Sequence, residues 1–241
     1  MNVNEIVRIV PTLKVNNRKL NERFYIETLG MKPLLEESAF LSLGDQTGTE
    51  KLILEEAPSM RTRRVEGLKK LARLLIKVEN PSEIEALLSQ MKSLPRLFKG
   101  KRGYAFEIVS PEEDVILVHA ENDIRDLVPL ETVPEFYSNT SIKYVSQFEV
   151  SMELRMPEGT ESLLDSEGVV PAITFTKGQG PDLAVENNVT WDLTMLKFLV
   201  RNFDLTSLRQ KFEKTGYFVP KSEKFFLGKD TNNIELWFEE A

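Results

Sequence analysis

The sequence predicts an α+β chain of four βαβββ modules, gathered into two domains with curved mixed sheets and helices outside. Three observations predict it. A strand-like run, a short amphipathic helix and several short strand-like runs follow one another in that order. The order returns later in the chain, with apolar positions in step at an offset of 124 residues. Capping, turn and breaker residues stand where this order needs them.

Val7 to Val15 reads as the first strand, because Val7, Ile9, Leu13 and Val15 alternate onto one face. Pro11 lacks an N–H for a ladder and points to an edge or a bulge. Asn16 or Asn17 caps the helix that follows. Leu20 and Phe24 share a helix face, Gly30 supplies the left-handed closing residue, and Pro33 blocks continuation. Lys32–Glu37, Phe40–Gly44 and Glu50–Glu56 read as three strands, with 45–48 as a turn. The basic stretch Arg61, Arg63, Arg64, Lys69 and Lys70 reads first as a solvated connection and second as an anion or partner patch.

The second module opens with a strand over Leu71–Glu79. Asn80, Pro81 and Glu83 then start a helix with the apolar stripe Ile84, Leu87, Leu88 and Met91. That stripe reads as core packing. Pro95 closes the helix, and strands follow over Arg96–Lys99, Tyr104–Val109 and Val115–Ala120. The polar, proline-bearing stretch 122–141 is the expected linker. It divides an N-terminal domain, 1–121 (modules 6–57 and 71–121), from a C-terminal domain, 142–241.

In the third module Lys143–Met156 alternates like a long strand, 157–168 is expected to hold one short helix, and Val169–Lys177 is a strand. Gly178-Gln179-Gly180-Pro181 reads as a turn, because no helix follows to make it a phosphate loop. The fourth module runs from a strand over Trp191–Arg201 to a helix capped by Asp204, then three strands. At the 124-residue offset Leu74 and Ile76 fall on Phe198 and Val200, Ser82 on Thr206, and Leu88 on Phe212. Such correspondence indicates duplication.

Composition narrows the function classes. The 241 residues carry a formal net charge of −7, which argues against nucleic-acid binding through a basic face. There is no cysteine, so disulfides, thiolate metal sites and a cysteine nucleophile are excluded. No apolar run approaches the roughly 20 residues that span a bilayer. With no signal-like N-terminus the expectation is a cytoplasmic protein, with surface or non-classical export as the other option.

Phe24-Tyr25 with Leu29-Gly30-Met31, and the closing run Asn233-Ile234-Glu235-Leu236, resemble the glyoxalase/bleomycin-resistance/dioxygenase (vicinal oxygen chelate) superfamily. In overall similarity and length the whole chain resembles the C3-degrading proteinase family, CppA. The resemblance implies two glyoxalase-like domains, and the family name implies a proteinase acting on complement C3.

The superfamily's His and Glu metal ligands would fall here on Val10, Arg73 and Lys197 in the opening strands, and on Glu55, Leu117 and Glu235 in the closing strands. Val and Leu cannot ligate, and Arg and Lys repel a cation. The expectation is therefore no metal and no cofactor. Lys197 and Glu235 are expected to form an ion pair across the sheet, and Arg73, Lys197, Glu235 and Glu55 to face the cavities. For proteolysis, the single histidine rules out His-Glu-x-x-His and leaves His119 as the one candidate for a Ser–His–acid triad, without a Gly-x-Ser-x-Gly elbow. A Ser–Lys dyad has no spacing that sequence can test. Three readings follow: a proteinase partnered with C3, a metal-free module binding a small ligand or a protein through a sheet cavity, and a metal-dependent glyoxalase-like enzyme. A homodimer is compatible with each.

Overall fold

The computed structural model describes residues 4–132, 134–137, 141–164 and 172–241. The first module comprises β1 (Glu5–Val15), α1 (Arg18–Arg23), β2 (Lys32–Glu37), β3 (Phe40–Gly44) and β4 (Glu50–Glu56). The second comprises β5 (Leu71–Val78), α2 (Pro81–Gln90), β6 (Arg96–Lys99), β7 (Tyr104–Val109) and β8 (Val115–His119). After β9 (Val128–Pro129) the third contributes β10 (Phe148–Pro157) and β11 (Ile173–Gly178). The fourth comprises β12 (Leu193–Arg201), α3 (Leu205–Lys211), β13 (Tyr217–Phe218), β14 (Phe225–Lys229) and β15 (Glu235–Glu240).

Each helix starts where a side chain closes a free N–H. Asn17 accepts from Leu20, Asn80 from Ser82 and Asp204 from Thr206. Asn80 and Asp204 are 124 residues apart, so the caps repeat with the modules. The face of α1 differs from the expected one. Leu20 is 53% exposed, while Asn21 and Tyr25 are buried. The Asn21 amide donates to Asn17 O and to the Glu112 carboxylate, which holds that face inward. The helix then widens into one π turn, Phe24–Thr28, and Met31 N–H returns to Tyr25 O. Gly30 follows with φ +67°, as expected, and a Cβ there would lie 3.1 Å from side-chain atoms of Leu87 and Val145.

The strands form two mixed sheets. One has eight strands in the order β13-β14-β15-β12-β1-β4-β3-β2, the other seven in the order β11-β10-β5-β8-β7-β6-β9. The expectation that modules 6–57 and 71–121 close one sheet between them is thereby corrected. The first module joins the fourth through the antiparallel pair β1 and β12, and the second joins the third through β5 and β10. The physical reason is that β4 covers one flank of β1 and leaves the other open, as β8 does for β5. Backbone groups on an open flank accept any strand, so local sequence does not choose the partner. What the two sheets share is one buried core, holding Leu13 and Phe198 from one and Leu74 and Phe148 from the other.

Three further expectations change. Pro11 is not at an edge: β1 is central, and Pro11 precedes both the start of the β4 ladder at Thr12 and a register shift between Thr12 and Leu13. Stretch 122–141 is not wholly a linker, since β9 pairs with β6 and Ile124 and Leu127 pack on Leu75, Phe98, Ala105 and Leu117. No helix occurs over 158–164, and 165–168 of the expected helix, like Val169 and Val170 of the expected strand, lie outside the described residues.

Candidate functional site

The face of the eight-stranded sheet turned away from the core carries the candidate site. Directly opposed residues in a sheet point to the same side. One row crosses six strands as Glu235, Met195, Thr12, Ile53, Ser42 and Leu35. The next row runs Trp237, Lys197, Val10. Between these rows and the β2 edge lies a cleft of about 530 Å³, with Leu35, Phe40, Ile53, Met195 and Trp237 as apolar walls. A second hollow of about 370 Å³ shares Phe40 and Met195 with it and adds Lys14, Glu55 and Glu235.

A charged triad crosses the cleft floor. Lys197 Nζ lies 3.2 Å from a Glu50 oxygen and 3.1 Å from a Glu239 oxygen. Burial disfavours the lysine's charge, but Glu50 and Glu239 outweigh it and raise its pKa above the ordinary lysine value. Glu50 reaches this face through an irregularity. Gly44 pairs with Glu50 although Leu43 pairs with Leu52, so the alternation slips by one residue. Ser42 Oγ then donates to Glu50 at 2.7 Å. Trp237 Nε1 donates to Glu239 at 2.8 Å, and its ring stacks on Phe225 with centroids 3.8 Å apart.

The candidate residues separate into two places. Glu55 and Glu235 line the same hollow, but Lys14 holds Glu55 at 3.2 Å. The expected Lys197–Glu235 ion pair is corrected: Lys197 is opposite Trp237 and Glu235 opposite Met195, and the lysine reaches Glu239 instead. Arg73 sits in the other sheet, bound by Glu153 at 2.9 Å with Glu107 at 3.7 Å. It is the counterpart of Lys197, and Glu153 faces it across β5 and β10 as Val10 faces Lys197 across β1 and β12. On that second sheet Leu75, Phe98, Ala105 and Leu117 occupy the neighbouring face beneath Ile124 and Leu127.

Sequence reasoning missed Glu153 because the third module offers no capped helix from which to count. It missed Glu50 because of the slip, whereas Glu239 shares the parity of Glu235 and was findable. These residues do not fit a divalent cation. Lys197 and Arg73 are cations, Val10 has no lone pair, and Glu153 is bound to Arg73. Among the described residues no three His, Cys, Asp or Glu side chains converge as a metal site.

His119 is 4% exposed, and its Nδ1 has no hydrogen-bond partner among the described residues. Burial, reinforced by the Lys77 charge, lowers its pKa to about 4. A triad base needs a hydroxyl on one ring nitrogen and an acid on the other. The bare Nδ1 lacks that orienting acid. Four cations of the basic stretch are held by partners. Arg63 grips Asp182 with two bonds of 2.7 Å, Arg64 pairs with Glu113 at 3.0 Å, Lys69 pairs with Asp114, and Lys70 Nζ donates to Val185 O at 2.7 Å. These cations tie the modules together.

Comparison with known proteins adds family and fold. Residues 8–130 match the family model described as CppA N-terminal, and residues 145–238 match the one described as CppA C-terminal. The crystal structure of the cppA protein from Streptococcus pneumoniae TIGR4 is 67% identical, with a TM-score of 0.95 and full coverage of both chains. A glyoxalase I mutant from Zea mays is 11% identical with a TM-score of 0.55, over 97% of this chain and 93% of its own. A second such mutant gives 11% and 0.54, over 97% and 92%. At that identity the likeness is one of fold. A comparison with curated protein sequences gives no match. No helix among the described residues is long and apolar enough to cross a membrane.

Proposed function

The chain belongs to the CppA family, and from that premise we propose that it is a metal-free binding protein whose ligand sits in the cleft of the eight-stranded sheet. One observation carries the reading. Lys197, at the position where the resemblance implies a metal ligand, is paired with Glu50 and Glu239 beside a cleft of about 530 Å³ with apolar walls. A hollow of that size with few oriented polar groups is the usual form of a small-molecule site. A fragment screen read by amide and indole NMR shifts tests it. Fragments that move Trp237, Lys197 and Phe40 together support the reading, and a screen that moves none of them removes it.

Cleavage of complement C3, the activity the family resemblance implies, rests on that resemblance alone. Digestion of C3 by homogeneous protein, with His119→Ala alongside, tests it. Cleavage that His119→Ala abolishes would support it; an absence of cleavage would end it.

A further inference from the structure

We propose that the cleft takes a cationic ligand, an organic amine with an apolar body of aromatic size. The inference rests on the binding reading above and names the ligand's chemistry.

The first argument is charge. Lys197 neutralises one of Glu50 and Glu239, Lys14 takes Glu55, and Lys229 takes Glu186. The other carboxylate of the first pair remains, together with Glu37 in the cleft and Glu235 in the adjoining hollow. Glu37 and Glu235 have no ion-pair partner among the described residues. With Lys197 and Lys14 counted, carboxylates still outnumber cations along the two hollows, and a net negative lining concentrates cationic ligands. An incoming anion would compete with two carboxylates for Lys197, whereas an amine adds to them.

The second argument is a buried hydroxyl. Thr12 is 1% exposed, and its Oγ1 has no hydrogen-bond partner among the described residues. Thr12 is directly opposite Met195 on one side and Ile53 on the other, and both line the cleft. Its side chain therefore lies on the cleft side of the sheet, between those two residues. A buried hydroxyl without a partner carries a desolvation cost that a ligand's N–H would relieve.

The third argument is the fixed indole of Trp237, pinned by Glu239 and Phe225. Its π face is a surface for an ammonium group.

The test uses the full chain at low salt and reads the Trp237 indole N–H, one of two such signals because the chain has 2 Trp. Tryptamine and indole-3-propionate share an indole and a two-carbon chain and differ in the sign of their charge, while indole lacks both chain and charge. Acetyl-Phe-Lys-amide separates a peptide lysine from a free amine as the source. Tryptamine or the peptide should bind about tenfold more tightly than indole-3-propionate, the scale of a single contact. Glu37→Gln with Glu235→Gln should erase most of that preference, and Thr12→Val should weaken the amine severalfold. Indole or indole-3-propionate binding as well as the amines would overturn the cationic assignment and leave the binding reading standing. No shift with any probe, while other fragments still move Trp237, would overturn the assignment in the same way.

Discussion

Val10 and Lys197 stand directly opposite each other across β1 and β12. They come from the first and fourth modules, and each stands where the resemblance implies its module's opening-strand ligand. One contributes no lone pair, and the other contributes a positive charge that Glu50 and Glu239 hold in place. The same ladder joins the first module to the fourth.

The first prediction follows from that joint. A fragment of residues 1–130 keeps β1 and β5 but loses β12 and β10, the strands that cover their open flanks. It also loses part of the shared core, including Phe148, Phe198 and Phe238. Exposed backbone and apolar surface of that extent favour aggregation. Expressed alone, the fragment should show little cooperative unfolding. Co-expressed with residues 131–241 it should co-purify and unfold cooperatively. A 1–130 fragment that melts like the intact chain would contradict the role given to these ladders.

Lys197→Met leaves Glu50 and Glu239 facing each other without their cation. At pH 7 the variant should lose about 1–2 kcal/mol in urea titration. In the native protein the folded-state pKa of Lys197 is raised, so its contribution persists below the ordinary lysine value of 10.5 and declines as pH rises through the folded value. An equal loss at pH 7 and well above the ordinary lysine value of 10.5 would show that the effect is packing alone.

His119 predicts the opposite slope. Its pKa falls from an ordinary 6.5 to about 4, so between those values the unfolded chain binds the proton that the folded chain refuses. Stability should therefore be intact above pH 6.5 and decline as pH falls toward 4, by about 3 kcal/mol. His119→Gln should flatten that decline. Urea midpoints at pH 7, 6, 5 and 4 measure it, and parallel curves for the two proteins would refute the assignment.

Asp192 joins the two sheets at their bases. Its carboxylate accepts Lys70 N–H at 2.6 Å and Leu71 N–H at 3.2 Å beside β5, and Leu193 N–H at 2.8 Å at the start of β12. Asp192→Asn turns one acceptor into a donor that faces a backbone N–H. With the site 2% exposed, the cost should be about 2–4 kcal/mol. A loss below about 0.5 kcal/mol would mean that the carboxylate is not needed there.

Much of the fold was legible in the chain because its signals are local. Asn80 and Asp204 cap helices within two residues of themselves, and Gly30 shows by its backbone angle why a helix ends there. The offset of 124 makes Arg73 and Lys197 equivalent on sequence alone. The buried face of α1 was less legible, because Asn21 is turned inward by Glu112, 91 residues away. Glu50 was hidden for a related reason: a register slip in β4 reversed the alternation that would have pointed it inward.

By itself the sequence determined the modules, their caps, the absence of cysteine and the equivalence of the cations Arg73 and Lys197. These depend on residue type and on spacings of a few positions, which the chain carries along its length. Only the tertiary structure decided that the first module pairs with the fourth, that Lys197 meets Glu239 rather than Glu235, and that one sheet face stays open while the other is covered by Ile124 and Leu127. The reason is that a strand's open flank presents the same N–H and C=O groups whatever its side chains. Its partner is selected by burial of a core drawn from all four modules, and no local window of the chain contains that information.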